Sequence, residues 1–164
     1  MADMKGCTEN RIAFEDVKGV VLLNDYPFAS VAIVEDKYKY SDLTSRIIKA
    51  AMAVHGRLGS GFQEVIYQRA LAIEMTEATL AFERECEMGI FYKDQGIGTR
   101  RVDFLVEGKV CVELKALTKL ESIHYAQAIN YLEAFNLEIG LLINFGSTSL
   151  EFRRFANKKF KARL

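Results

Sequence analysis

Apolar residues recur along this chain first at helical spacing, then at every second position, then at each again, and that succession lays out the elements. Leu43, Ile47, Ala51, Val54 and Leu58 form one stripe, which predicts a helix opening at Ser41 as N-cap with Asp42 in its first turn. Gly59-Ser60-Gly61 stops it. A second helix is predicted from about Phe62 to Glu77, with Phe62, Ile66, Ala70 and Ile73 as its buried side and with Glu64 and Tyr67 sharing an adjacent face. From Phe82 to Tyr92 the period becomes two: Phe82, Cys86, Met88, Ile90 and Tyr92 face one way, and Glu83, Glu85 and Glu87 the other. Lys93 to Gly98 reads as a polar connection. Val102, Phe104 and Val106, then Val110, Val112 and Leu114, mark two strands around a Gly108 turn. A third helix follows from about Glu121 to Asn136, with Ala128, Leu132 and Phe135 toward the core and His124, Gln127 and Tyr131 on a polar-aromatic line. Ile139 to Phe145 is a continuous apolar run that suits a strand covered on both faces, and Leu150 to Phe155 alternates beside it. The order of elements predicts an α/β fold with a central mixed β-sheet flanked by helices.

Residues 1–38 differ: two apolar runs flank Asn24-Asp25-Tyr26-Pro27, which reads as a turn, so a short hairpin extension is expected there. Residues 39–156 are read as the domain, and 157–164 as a basic tail; Arg153, Arg154, Lys158, Lys159, Lys161 and Arg163 follow one another with no acid after Glu151. The length of 164 residues suits one core. Across the whole chain 22 Lys and Arg balance 22 Asp and Glu, so any affinity for nucleic acid must come from a local patch. Cys7, Cys86 and Cys111 are too few and too scattered for a disulfide framework or a zinc site, and Cys111 is expected as a small buried hydrophobe. With no signal peptide and no membrane-spanning apolar run, a reduced, cytoplasmic setting is expected. Gly59-Ser60-Gly61 is not a phosphate loop, because it follows a helix and lacks the Gly-Lys-Ser/Thr ending.

The chemistry concentrates in the hairpin. If Glu107, Gly108 and Lys109 form a three-residue loop, Asp103 faces Glu113 and Arg101 faces Lys115; a two-residue loop would put the carboxylates on opposite faces. Facing carboxylates repel unless one is protonated or a cation lies between them, and their hard oxygens suit Mg²⁺ or Mn²⁺. An ordinary surface hairpin, with Asp103 paired to Arg101 or Lys115, accounts for the same residues.

Asp103 followed by Glu113-Leu114-Lys115 resembles the Asp and Glu-x-Lys signature of the PD-(D/E)XK, or restriction-endonuclease-like, nuclease superfamily. Gln127 and Tyr131 are similar to a Gln-x-x-x-Tyr arrangement in nuclease domains attached to recombination helicases. Gly61-Phe62-Gln63-Glu64-Val65-Ile66-Tyr67 resembles the naming motif of the bacterial GxxExxY protein family, and the resemblance covers about residues 40–155. It implies a restriction-endonuclease-like core in which Asp103 and Glu113 hold a divalent metal and Glu64 completes or extends the acidic cluster. It further implies that Lys115 acts on the water or the scissile phosphate, and that Gln127 and Tyr131 position a phosphate or the lysine. The function expected is hydrolysis of phosphodiester bonds in nucleic acid, DNA or RNA, with Mg²⁺ or Mn²⁺ as cofactor, no membrane, and a homodimer admitted. The alternative is a catalytically silent module of the same fold that binds nucleic acid or a protein partner. A metal cluster at Asp103 also predicts that Asp103→Asn is no less stable than the parent without metal, since it removes one repelling charge.

Overall fold

The computed structural model describes residues 39–161; the hairpin expected within residues 1–38 lies outside them. The elements are α1 (Ser41–Leu58), α2 (Glu64–Glu77), β1 (Phe82–Tyr92), β2 (Gln95–Val106), β3 (Val110–Lys115), α3 (Ser122–Ala134), β4 (Ile139–Asn144) and β5 (Glu151–Ala156). The strands form one sheet in the order β1-β2-β3-β4-β5, with every neighbouring pair antiparallel except β3 and β4, which run parallel and are joined through α3. This is the mixed sheet between helices that the hydrophobic pattern implies.

Two layers cover the sheet. On one face α1 and α2 bury Leu43, Ile47, Ala51, Val54, Tyr67, Leu71 and Met75 against Phe104, Val112, Leu114, Leu141 and Ile143. On the other, α3 sets Leu132 against Cys111 and Val102, and Ala128 against Leu142. Gly140 makes the close approach of α3 possible, since a β-carbon there would stand 2.9 Å from Leu132 Cδ2. β3 and β4 are buried along nearly their whole length, as strands sandwiched between two helical layers must be.

Several sequence expectations shift. Tyr40, at φ 60°, caps α1 and Ser41 is its first residue. The inward side of α2 is Tyr67, Gln68, Leu71 and Met75, whereas Phe62, Ile66 and Ile73 are exposed. α2 is apolar around most of its circumference, so two stripes compete; the one that wins stacks Tyr67 on Phe145 at 4.7 Å between ring centroids. Gln95 to Gly98 belong to β2, because β1 turns directly at Lys93 and Asp94, both at positive φ (47° and 65°), the geometry of a two-residue hairpin loop. Val102 does not share a layer with Phe104 and Val106: it packs with α3 while they pack with α1 and α2. Glu85, opposite Asp103 between the pairs Arg84↔Phe104 and Cys86↔Val102, sits at φ 50°, which marks the distortion where the faces exchange.

At the C-terminal end, the chain packs on the end of α3. The buried Asn157 donates through Nδ2 to the carbonyls of Leu132 and Leu137, Asn136 and Lys161 exchange two hydrogen bonds, and Lys159 Nζ lies 2.7 Å from Glu133.

Candidate active site

The site is built where β2 parts from β3. Val106 and Val110 pair across the turn Glu107-Gly108-Lys109, with Glu107 and Gly108 at φ 53° and 63°, so the loop has three residues and the register runs Leu105↔Cys111, Phe104↔Val112. One step further brings Asp103 and Glu113 abreast. There the ladder ends, and the Leu114 amide that would have continued it donates to Asp103 Oδ2 at 2.8 Å. The other oxygen of Asp103 accepts from Gln68 Nε2 at 2.9 Å, and Gln68 is held in that orientation by Arg84, which donates to Gln68 Oε1 at 2.9 Å. Asp103 is therefore fixed from α2, β1 and β3 together, and is not paired with Arg101 or Lys115 as an ordinary surface hairpin would have it.

Glu113 is 9% exposed, and its Oε1 is buried without a hydrogen-bond partner. Its Oε2 lies 4.0 Å from Lys115 Nζ. Burial, and then the neighbouring charge of Asp103, push the Glu113 carboxyl up to about 8; Lys115 opposes the shift and Glu64 adds to it. Glu64, the first residue of α2, is half-buried, and burial raises its pKa too, with Asp103 acting in the same direction and Lys115 against. The three carboxylates and the lysine thus lie within one another's fields, although among the described residues no three His, Cys, Asp or Glu side chains close into a ready cage for an ion. Lys115 is partly buried and also donates to the Leu114 carbonyl at 2.8 Å.

The strand exit after Lys115 is locked by groups that carry no charge. Phe145 N donates to the Lys115 carbonyl, and the fully buried Asn144 takes the Leu117 amide on Oδ1 while giving Nδ2 to the Leu117 carbonyl and to Glu151. Gly146 completes the clamp by lying against the backbone of Ala116 and Leu117.

The remaining expected residues divide. Tyr131 accepts a 2.6 Å hydrogen bond from Arg100 Nε, and Arg100 acts electrostatically on Glu113, so this tyrosine borders the site. Gln127, one turn earlier on α3, is half-buried and makes no hydrogen bond to the acidic residues. His124 caps its own helix by accepting from the Glu121 amide. Tyr67 faces the core, away from any chemistry: its hydroxyl donates to the Gly59 carbonyl and accepts from the Phe62 amide, closing the turn that Gly61 makes at φ 108°. Gln68, Arg84 and Asn144 went unnoticed in the sequence, but Gln68 stands four residues after Glu64, one turn along the same face of α2, and that spacing was a usable signal.

A model of the PD-(D/E)XK nuclease superfamily matches residues 41–155, more than half of the chain. The chain belongs to this superfamily. Asp103, Glu113 and Lys115, the residues of the Asp and Glu-x-Lys pattern expected from the sequence, are set beside one another by the β2–β3 register. Among solved structures the chain is similar to SSO0001, at 16% identity and a TM-score of 0.47, over 72% of this chain and 60% of that one. It spans less than two thirds of that protein's length. No curated protein matches it. Among the described residues, no helix of this superfamily member is long and apolar enough to cross a membrane.

The raised carboxyl of Glu113 sets a measurable slope. In metal-free protein the folded state keeps a proton that the unfolded chain gives up near its ordinary value of 4.5. The stabilising contribution is therefore complete below about pH 4.5 and is lost as the pH rises toward about 8. In chelator the wild type should melt at progressively lower temperature across that window. Glu113→Gln should flatten the decline, leaving the smaller share of Glu64; an equal slope in both proteins would show that Glu113 is not the group responsible.

Proposed function

We propose that the chain is a metal-dependent nuclease that hydrolyses phosphodiester bonds of nucleic acid, with Glu64, Asp103, Glu113 and Lys115 as its machinery and Gln127 and Tyr131 as positioning groups. The observation that carries this reading is Glu113 Oε1, a buried carboxylate oxygen with no partner, beside two further carboxylates and an ammonium. An unpaired buried acceptor is costly, and a cation bound there would offset that cost. The donor set fits a hard cation: all three groups offer oxygen, and each Asp103 oxygen accepts one hydrogen bond and so retains a lone pair. Glu64, Asp103 and Glu113 would hold Mg²⁺ or Mn²⁺, which supplies Lewis acidity toward a phosphoryl oxygen. The chain's own groups do the rest. Lys115 keeps a positive charge at the point where negative charge accumulates on the phosphoryl oxygens during in-line attack, and its tether to the Leu114 carbonyl fixes where that charge is. Tyr131, already gripped by Arg100, sets the lateral position of a phosphate. Among the described residues none of these groups calls for a covalent intermediate, and direct attack by water is the reading preferred.

Purified protein incubated with labelled single- and double-stranded DNA and RNA should cut at least one of them in Mg²⁺ or Mn²⁺ and none in chelator; failure to cut any overturns the proposal. A substrate-free measurement bears on the metal alone. Wild-type protein should melt higher in millimolar Mg²⁺ or Mn²⁺ than in chelator, because the ion binds the folded state only, by about 3 kcal/mol at a hundredfold excess over its dissociation constant. Glu113→Gln should be at least as stable as the wild type in chelator, increasingly so as the pH rises from about 4.5 toward about 8, and lose most of the gain from metal. Asp103→Asn is a poorer probe than the sequence alone implies. Both Asp103 oxygens face donors, so an amide in its place sets NH₂ against an N–H and costs on the order of 1–3 kcal/mol whether or not metal is present.

A further inference from the structure

Beyond the acidic cluster, the β1–β2 hairpin continues past the sheet, and from Phe91 to Arg101 every residue is exposed. Its far end carries large apolar groups where a solvent-facing turn has no structural need of them: Phe91 is 67% exposed and Tyr92 63%. The Phe91 ring is seated against glycine backbone on both strands. A β-carbon at Gly89 would stand 2.9 Å from Phe91 Cε2, and one at Gly96 3.8 Å from Cε1. The register shift between Ile90 and Phe91 brings Gly96 directly opposite the ring. The ring is thus held from below by two residues without side chains and left open above.

Cations accompany the rings. Lys93 Nζ stands 5.6 Å from the centroid of Tyr92. Between Met88 and Arg101 there are three cations, Lys93, Arg100 and Arg101, against the single anion Asp94, in a chain that is neutral overall. The arm is also continuous with the site, because Arg100 donates to Tyr131 at its base. Open aromatic faces next to positive charge, on a path that ends at a phosphodiester-cutting centre, match the way unpaired bases and their phosphates are bound: every base has a π-face to stack, and the backbone supplies the negative charge.

Resting on the nuclease reading, we infer that the β1–β2 hairpin is a stacking arm for single-stranded nucleic acid, in which Phe91 and Tyr92 take up unpaired bases and Lys93, Arg100 and Arg101 lead the strand's phosphates toward Lys115. The reading names the substrate as a strand with exposed bases and excludes an intact duplex, whose bases are stacked on each other.

The test is fluorescence anisotropy in chelator, where nothing is cut, with labelled oligothymidylate, labelled oligouridylate and a blunt DNA duplex. Wild-type protein should bind at least one of the strands more tightly than the duplex. Replacing both rings, Phe91→Leu with Tyr92→Leu, keeps apolar cover over the glycines and should weaken strand binding about tenfold or more, leaving duplex binding and melting temperature unchanged. Phe91→Trp should restore most of the affinity that Phe91→Leu removes. Unchanged strand binding in the double variant overturns the arm, as does a wild type that prefers duplex. A wild type that sediments as a dimer which the double variant dissociates also overturns it, since the rings would then serve a second copy. The outcomes separate the two readings: a double variant that binds and cuts like wild type removes the arm alone, and a wild type that binds strands through these rings but never cuts removes the nuclease alone.

Discussion

Lys115→Ala should bind a single-stranded substrate nearly as well as the wild type and cut it about 10²–10³-fold more slowly, the loss expected when one prepositioned charge is withdrawn from a transition state. The loss should fall on the chemical step because Lys115 is not a free surface charge: it is partly buried, tethered to the Leu114 carbonyl at 2.8 Å and 4.0 Å from Glu113. Its ammonium is therefore aimed before substrate arrives, and what aiming contributes appears in kcat more than in KM. Lys115→Arg is instructive beside it. The guanidinium keeps the charge but is longer and planar, and it cannot occupy the place of an ammonium between a carbonyl and a carboxylate, so recovery should be partial at best. Single-turnover cleavage with saturating enzyme checks both variants. Equal single-turnover rates for Lys115→Ala and the wild type would remove the lysine from the mechanism.

Gly146→Ala should be the most destabilising conservative change in the domain, at about 3 kcal/mol or more, and should melt well below the wild type or fail to accumulate as folded protein. The added methyl would stand 2.4 Å from the carbonyl carbon of Ala116 and 2.4 Å from the nitrogen of Leu117, both backbone atoms with no rotamer to yield. The segment it would displace is also pinned by Asn144, which holds both the amide and the carbonyl of Leu117. Relief must therefore come either from breaking those bonds or from moving the end of β3. Urea denaturation gives the magnitude; a loss below about 1 kcal/mol would show that the strand exit is softer than its contacts imply.

Both sites show what a single sequence exposes and what it conceals. The facing of Asp103 and Glu113 was legible only as one of two alternatives: side-chain parity fixes it once the loop has three residues, and the Val106↔Val110 pair decides for that loop over the two-residue one. Strand β5 and the core line of α3 were legible because their apolar residues keep one period, and β4 because an unbroken apolar run ended by Gly146 suits a strand covered on both faces. The inward side of α2 was not, because Ile66, Ala70 and Ile73 advertise a stripe as apolar as Tyr67, Leu71 and Met75, and only the arrival of Phe145 from a distant strand decides between them. Arg84 and Asn144 are polar residues whose partners lie on other elements, and such a hydrogen bond leaves no periodic mark; Gln68 is marked only by its i+4 spacing from Glu64. The Lys93-Asp94 turn was hidden too: both residues adopt the left-handed region without the glycine that usually announces it, and the strand therefore looked shorter than it is.

The clamp on Leu117 has a consequence for the order in which activity appears. Glu64, Asp103, Glu113 and Lys115 all precede α3 in the chain, but the groups that fix the exit of β3 are Asn144, Phe145 and Gly146, at the end of β4. A chain cut short before β4 would carry these four residues without the contacts that fix the end of β3. If the nuclease reading holds, adding back a peptide that spans Ile139 to Ala156 should restore cutting to such a fragment by strand complementation. On the nuclease reading, the parallel β3–β4 pairing would be the contact that completes the site, so a chain that ends before β4 should not cut.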